Sequence, residues 1–178
     1  MSEDLEVTIR SARAGDAQRL LDFWQVEVMP CDFVETDAEL NDMTVAQLAP
    51  QLTAMAASPN NLLLLALAGT EIIGYLRIAA GANPATAHVG ELGLLVAQAE
   101  RHIGLGSALM ATALDWVSEQ STLKRVQLFV QTRNLPAQKL YQKFGFILEG
   151  RLPASYRSVS GDLLETLLMA QLFNTSIS

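Results

Sequence analysis

Cysteine is nearly absent from this chain: Cys31 stands alone among 178 residues. That excludes an internal disulfide and any thiolate cluster around a metal. Histidine is as scarce, with only His88 and His102, so a zinc site would have to lean on carboxylates, an uncommon ligand set. No metal is expected. Basic residues number 12 against 19 acidic ones, for a net charge of −7. A surface of that sign repels a phosphate backbone, which argues against nucleic acid and leaves a cationic amine or a basic peptide compatible as partner. Long apolar runs are missing too. The stretch Leu62 to Ala68 is far short of the roughly 20 residues that cross a bilayer, and the polar start Met1-Ser-Glu-Asp-Leu-Glu is unlike a signal peptide. No membrane association is expected, and the expected location is the cytoplasm.

What is present is apolar substance. Half of the residues are hydrophobic and 17% are charged, so the chain is not disordered. Its length suits one domain with a substantial core, spanning residues 1–178 with the core at about 6–173. Repeats, linkers and low-complexity tracts are not found. Val7-Thr-Ile-Arg-Ser alternates as a strand does. Asp16 is placed to cap a helix from about Ala17 to Val28, which must stop before Pro30. A close-set acidic segment follows, with Asp32, Glu35, Asp37, Glu39 and Asp42; such a run either faces solvent or attracts a cation. A second helix is expected from about Thr44 to Ala57, bent near Pro50.

Asn61 to Ala68 is so uniformly apolar that it reads as a strand buried on both faces. Gly69-Thr-Glu turns it into a partner strand, Ile72 to Ala79, and His88 to Val96 forms the next. Farther on come a strand from Arg125 to Gln131, a helix capped by Asn134 and running to about Phe144, and two strands, Phe146 to Glu149 and Leu163 to Phe173.

The segment Gly90 to Trp116 is the most informative. A strand ends at Val96, and a helix begins near Ser107 with apolar residues at Leu109, Met110, Ala113, Leu114 and Val117, a spacing that keeps one face on a core. Between them lies Arg101-His-Ile-Gly104-Leu-Gly106. Glycines there let successive N–H groups and the helix N-terminus converge on an anion. The dinucleotide pattern G-x-G-x-x-G fails because Leu109 stands at its third glycine, and no Gly-Lys-Ser/Thr ends a P-loop. On these six residues alone, an ordinary strand-to-helix turn reads the same.

The pattern R-x-x-G-x-G after a strand resembles the pyrophosphate turn of the GNAT superfamily of N-acetyltransferases. A second stretch supports it: Asn134, Ala137, Tyr141, Gly145 and Phe146 are similar to that family's N-x-x-A-x-x-x-Y followed by G-F. With the element order, the resemblance covers most of the chain. It implies an α/β fold whose mixed, mostly antiparallel sheet of about seven strands is flanked by about four helices. It also implies transfer of an acetyl group from acetyl-CoA to a primary amine, on a small molecule or a protein N-terminus, in one direct ternary-complex step. A non-catalytic acetyl-CoA-binding regulator would keep the same turn.

By the same resemblance, Leu94, Leu95 and Val96 would hydrogen-bond the pantetheine arm, beside a bulge for which Gly93 is a candidate. Arg101, His102, Ile103, Gly104, Leu105, Gly106 and Ser107 would cradle the diphosphate, Asn134 would bond the pantetheine amides besides capping its helix, and Ala137 and Tyr141 would also contact the cofactor. Tyr141 is the candidate general acid, since a phenol is protonated at neutral pH; as a residue alone it reads equally as a core aromatic. Glu91 is the candidate base, or else a solvated strand residue. The glutamate that some relatives carry five residues before the motif's asparagine is here Phe129. The acceptor would enter between the acidic segment and the loop before the last strand, which is expected to hold Tyr156, Arg157 and Asp162. Gly150 to Arg157 with Gly161-Asp162 is similar to enzymes of both acceptor classes and does not choose between them. Cys31 lies outside both motifs, which disfavours an acyl-enzyme. Surface apolar area is compatible with a homodimer, but no stretch locates an interface.

Overall fold

The computed structural model describes residues 6–34 and 38–175. Among them seven strands form one sheet: β1 Val7–Ser11, β2 Leu62–Ala68, β3 Glu71–Ala80, β4 Val89–Val96, β5 Arg125–Gln131, β6 Ile147–Arg157 and β7 Leu163–Leu172. Their order is β1-β2-β3-β4-β5-β7-β6. Every neighbouring pair is antiparallel except β4 with β5 at the centre. The helices are α1 Ala17–Phe23, a one-turn α2 Ala38–Asn41, α3 Val45–Ala56, α4 Leu105–Glu119 and α5 Leu135–Lys143. This is the expected mixed, mostly antiparallel architecture. No helix among the described residues is long and apolar enough to cross a membrane.

The sheet carries a core on each face, and β2 shows why its sequence is unbroken leucine. Leu62, Leu64 and Ala66 pack under α4 and α5, while Leu63, Leu65 and Leu67 pack under α1 and α3. A period of two on a strand with two apolar neighbours leaves no polar position. Helix α4 buries Leu105, Leu109, Met110, Ala113 and Val117 against the first of these cores. Each large side chain among them contributes roughly 1.5–3 kcal/mol by burial. Thr44 caps α3 by accepting from the Gln47 N–H, and Gln47 reaches back to the Thr44 N–H at 2.8 Å. Helix α3 runs continuously across Pro50.

Several local expectations are corrected. Helix α1 does not end as an α-helix but widens into a π-helical turn over Trp24–Val28. Helix α4 starts at Leu105, not near Ser107. The strand expected to end at Glu149 continues to Arg157 through irregular pairing at Leu148/Gly150 and Leu152/Tyr156, so Tyr156 and Arg157 belong to β6 and not to a loop. The register of β4 against β3 is continuous through Gly93, which pairs with Arg77, so Gly93 is no bulge there.

Asp16 makes no side-chain cap on α1. It is 1% exposed and accepts from Arg10 Nη1 at 2.7 Å, Arg10 Nη2 at 2.9 Å, the Arg13 N–H at 2.8 Å and Arg19 Nη2 at 3.0 Å. It therefore locks β1 to the start of α1. The Arg10 hydrogen bonds lead in lowering its pKa from 3.8 to about 2. A carboxylate depressed on folding stabilises above its unfolded pKa, and that stability disappears as pH falls through the folded value. At 1.36 kcal/mol per unit the contribution is about 2 kcal/mol. Asp16→Asn is expected to lose about that much at pH 7 and to flatten the drop in stability between pH 5 and pH 2, as measured by urea unfolding across that range.

Candidate active site

The site begins where two parallel strands part. β4 pairs with β5 only at Val89↔Arg125, Gly90↔Val126 and Glu91↔Gln127; beyond Glu91 it follows β3 alone. The Ala97 N–H donates to the Ile73 carbonyl. The two-residue alternation of an antiparallel ladder then turns the backbone of Leu95 and Gly93 toward β3 and that of Leu92, Leu94 and Val96 toward the gap. Leu94 thus presents both of its backbone groups, and Val96 its N–H, at an open edge. The N–H and C=O of Leu95 face β3.

At the end of β4 the chain enters the turn that carried the sequence pattern. Arg101 Nε donates to the Val96 carbonyl at 3.2 Å. His102 has φ 70° and Gly104 φ 86°, and a left-handed residue that is not glycine carries a strain of roughly 1 kcal/mol or more. Gly104 is the N-cap of α4 and has no side chain with which to cap it. The first intrahelical bond runs from the Ala108 N–H to the Gly104 carbonyl. The N–H groups of Leu105, Gly106 and Ser107 therefore point outward without helical partners, an anion-binding arrangement. Lys143 Nζ lies 3.5 Å from the Ser107 hydroxyl and adds positive charge at that first turn. Gly106 serves packing: a Cβ there would meet Leu140 Cδ2 at 3.3 Å. Asn134 accepts from the Ala137 N–H at 3.3 Å and caps α5 as expected.

The gap opens into a cavity of about 830 Å³. Tyr141 lines it from α5 on one face of the sheet; Tyr75, Arg77, Glu91 and Phe129 line it from strands on the other. The parted strands thus leave a window through the sheet. Tyr141 is 7% exposed, packs against Phe146 with the rings tilted by 58° and centroids 6.1 Å apart, and makes no hydroxyl hydrogen bond with any described residue. Burial raises its pKa to about 12. Tyr75 is also raised to about 12, chiefly by burial, with the charge of Arg77 opposing the rise and Tyr141 adding to it. Glu91 is exposed at the last paired position of β4. Cys31 is not among the described lining residues.

One wall is the segment after α1, and its fastening involves a residue read differently from sequence. Asp32 is not displayed toward an acceptor. Its Oδ2 accepts from Arg133 Nη2, its Oδ1 accepts from the Val159 N–H at 2.9 Å, and its carbonyl accepts from Gln131 Nε2 at 2.6 Å. Arg133 also stacks over Phe33 at 4.8 Å. The Tyr156 hydroxyl donates to the Val34 carbonyl at 3.4 Å, so Phe33 and Val34 are held as cavity lining. The Arg133 hydrogen bond holds the Asp32 carboxyl below the usual range. Of the other acidic positions, Asp42 is exposed, whereas Glu35, Asp37 and the side chain of Glu39 lie outside the described residues. Sequence reasoning missed Tyr75, Arg77 and the Asp32–Arg133 clasp. Arg77 had a signal, as a lone cation inside the apolar strand Ile72 to Ala79; the clasp, 101 residues apart in sequence, had none.

Comparison with known proteins gives one answer. The family model described as Acetyltransferase (GNAT) family matches residues 23–146. The chain is 25% identical over 166 residues to the L-amino acid N-acetyltransferase AaaT of Escherichia coli, covering 93% of this chain and 98% of that protein. It is 33% identical to an acetyltransferase of the GNAT family from Streptococcus pneumoniae, whose crystal structure matches with a TM-score of 0.88 over 94% of this chain and 99% of that one. The structure of yncA from Salmonella typhimurium with its cofactor acetyl-CoA shares the fold at 16% identity, with a TM-score of 0.82 over 97% of each chain.

The clasp makes a local prediction. In Asp32→Ala the Val159 amide loses its acceptor, and its hydrogen exchange is expected to quicken while amides in the β4 core keep their protection. Unchanged exchange at Val159 would mean that the segment is held without Asp32.

Proposed function

The chain belongs to the GNAT acetyltransferase family, an acetyl-CoA-dependent N-acetyltransferase, and on that footing we propose that it acetylates a primary amine by direct transfer within a ternary complex. The observation that carries this is the window: a buried, protonated phenol on one side of the parted strands and an exposed carboxylate on the other. The name of the Escherichia coli relative favours a small free amine over a protein N-terminus as acceptor.

Acetyl-CoA fits the residues present. The uncapped N–H groups of Leu105, Gly106 and Ser107, with Lys143 beside them, would hold its diphosphate, and the open-edge groups of Leu94 and Val96 would hold its pantetheine arm. It supplies an activated acetyl thioester. Glu91 takes the proton that the acceptor nitrogen must lose, directly or through water. An open-edge N–H of β4 polarises the thioester carbonyl, as a preorganised backbone donor does. As the new C–N bond forms and the C–S bond breaks, Tyr141 donates its hydroxyl proton toward the departing sulfur. A pKa of about 12 keeps that hydroxyl protonated at every pH at which the enzyme would be assayed. With Cys31 off the cavity wall, no acyl-enzyme is required.

Tyr141→Phe is expected to lower kcat by about 10²-fold or more with little change in the KM for acetyl-CoA, as loss of a general acid does; a kcat within a few-fold of wild type would remove Tyr141 from the acid role. In wild type, activity should show no decline from loss of this proton below about pH 11, because the phenol is raised and not lowered. Gly104→Asp sets a carboxylate beside the outward N–H groups at a residue whose φ is 86°. Calorimetric affinity for acetyl-CoA should fall at least tenfold, while the left-handed backbone lowers stability by only about 1 kcal/mol, so a variant that stays folded in a thermal melt but keeps wild-type affinity would remove the turn from cofactor binding.

A further inference from the structure

Among the described residues lining the cavity, two carry formal charge, and the charges are opposite: Arg77 and Glu91. They share one face of the sheet. Arg77 stands across from Gly93 in the β3–β4 register, and Glu91 lies two residues before Gly93 on β4, which makes them diagonal cross-strand neighbours, roughly 7–8 Å apart at the backbone. Between them the floor is open, since a Cβ built on Gly93 would meet nothing within 4 Å. Five other arginines, Arg10, Arg19, Arg125, Arg133 and Arg151, are ion-paired to carboxylates. Arg77 is exposed into the cavity and forms no hydrogen bond or ion pair with a described residue, in a chain of net charge −7.

We propose that Arg77 is the carboxylate anchor of the acceptor site, and that the acceptor is a free α-amino acid with an apolar side chain. This rests on the transfer reading above. In an α-amino acid the amine and the carboxylate are separated by one carbon. With the amine turned to Glu91 and the window, the carboxylate falls over Gly93 within reach of the Arg77 guanidinium, whose planar fork suits both of its oxygens. The side chain is left to the wall formed by Trp24, Phe33, Leu40 and Phe129, which holds no charge. Trp24 is fixed there by its indole N–H, which donates to Asn41 Oδ1 at 3.1 Å. A peptide N-terminus offers an uncharged amide at the place of the carboxylate and leaves the guanidinium without a charged partner. A polyamine sets a second cation against it, which is repulsive.

The test titrates the CoA-saturated enzyme by calorimetry with L-leucine, L-methionine and L-phenylalanine, with the amide of each, and with spermidine, and follows acetyl-CoA turnover with the same compounds. At least one acid should bind about tenfold to a hundredfold more tightly than its own amide, the span expected for a charge-assisted bidentate contact. That ratio should collapse in Arg77→Met and recover in part in Arg77→Lys. Because Arg77 is exposed, neither variant removes a core contact. Amides binding as well as acids, no binding by any of the acids, or an acid preference that survives in Arg77→Met would each overturn the proposal. Selective, Arg77-dependent binding with no turnover would leave the anchor standing and sink the transfer reading. Turnover of spermidine or of the amides in preference to the acids would do the reverse.

Discussion

The pairing of β4 with β5 stops after Glu91↔Gln127, and the site depends on that interruption. Unpaired backbone donors and acceptors inside a fold are costly, and sheets ordinarily leave them only at their edges. Here an edge is created at the centre of a seven-stranded sheet, at its one parallel junction. A parallel pair needs a crossover, and α4 provides it. The turn into α4 therefore sits at the end of β4, directly past the open groups of Leu94 and Val96. Turn, open edge and window are consequences of one topological fact: a strand that leaves its parallel neighbour just before the crossover to that neighbour begins.

How much of this was legible beforehand follows from the range over which each feature is encoded. The turn at Arg101 to Gly106 and the capped start of α5 at Asn134 were readable because glycine, asparagine and helical periodicity act over a few residues. The two-faced burial of β2 was readable from leucine alone. Asp16 was misread because a capping residue and a buried ion-pair hub share one local signature, and only Arg10 on the neighbouring strand distinguishes them. Asp32 was misread for the same reason at longer range: it looked like part of a solvated acidic run, yet Arg133 and Val159 claim its carboxylate. The length of β6 was hidden by its two irregularities and by Pro153, which reads as a breaker in sequence but is tolerated in an edge strand. Gly106 lies in the first turn of α4, and its missing side chain has a second use that sequence does not show, making room for Leu140.

In the proposed reaction, burial is what lets the two ionisable groups at the window divide the work. A carboxylate and a phenol separated by a sheet would both be ordinary acids in water, with pKa values on either side of neutrality. The fold drives the phenol further from neutrality by placing Tyr141 behind the strands with Phe146 against its ring. Glu91 stays exposed at the last paired position of β4. Environments that push two titratable groups apart are what separate an acid from a base. In the proposed reaction the buried group keeps its proton until sulfur needs one, and the exposed group is the one that can pass a proton on to solvent. The parting of the strands that opens the cavity also sets the different environments of Tyr141 and Glu91 on its two sides.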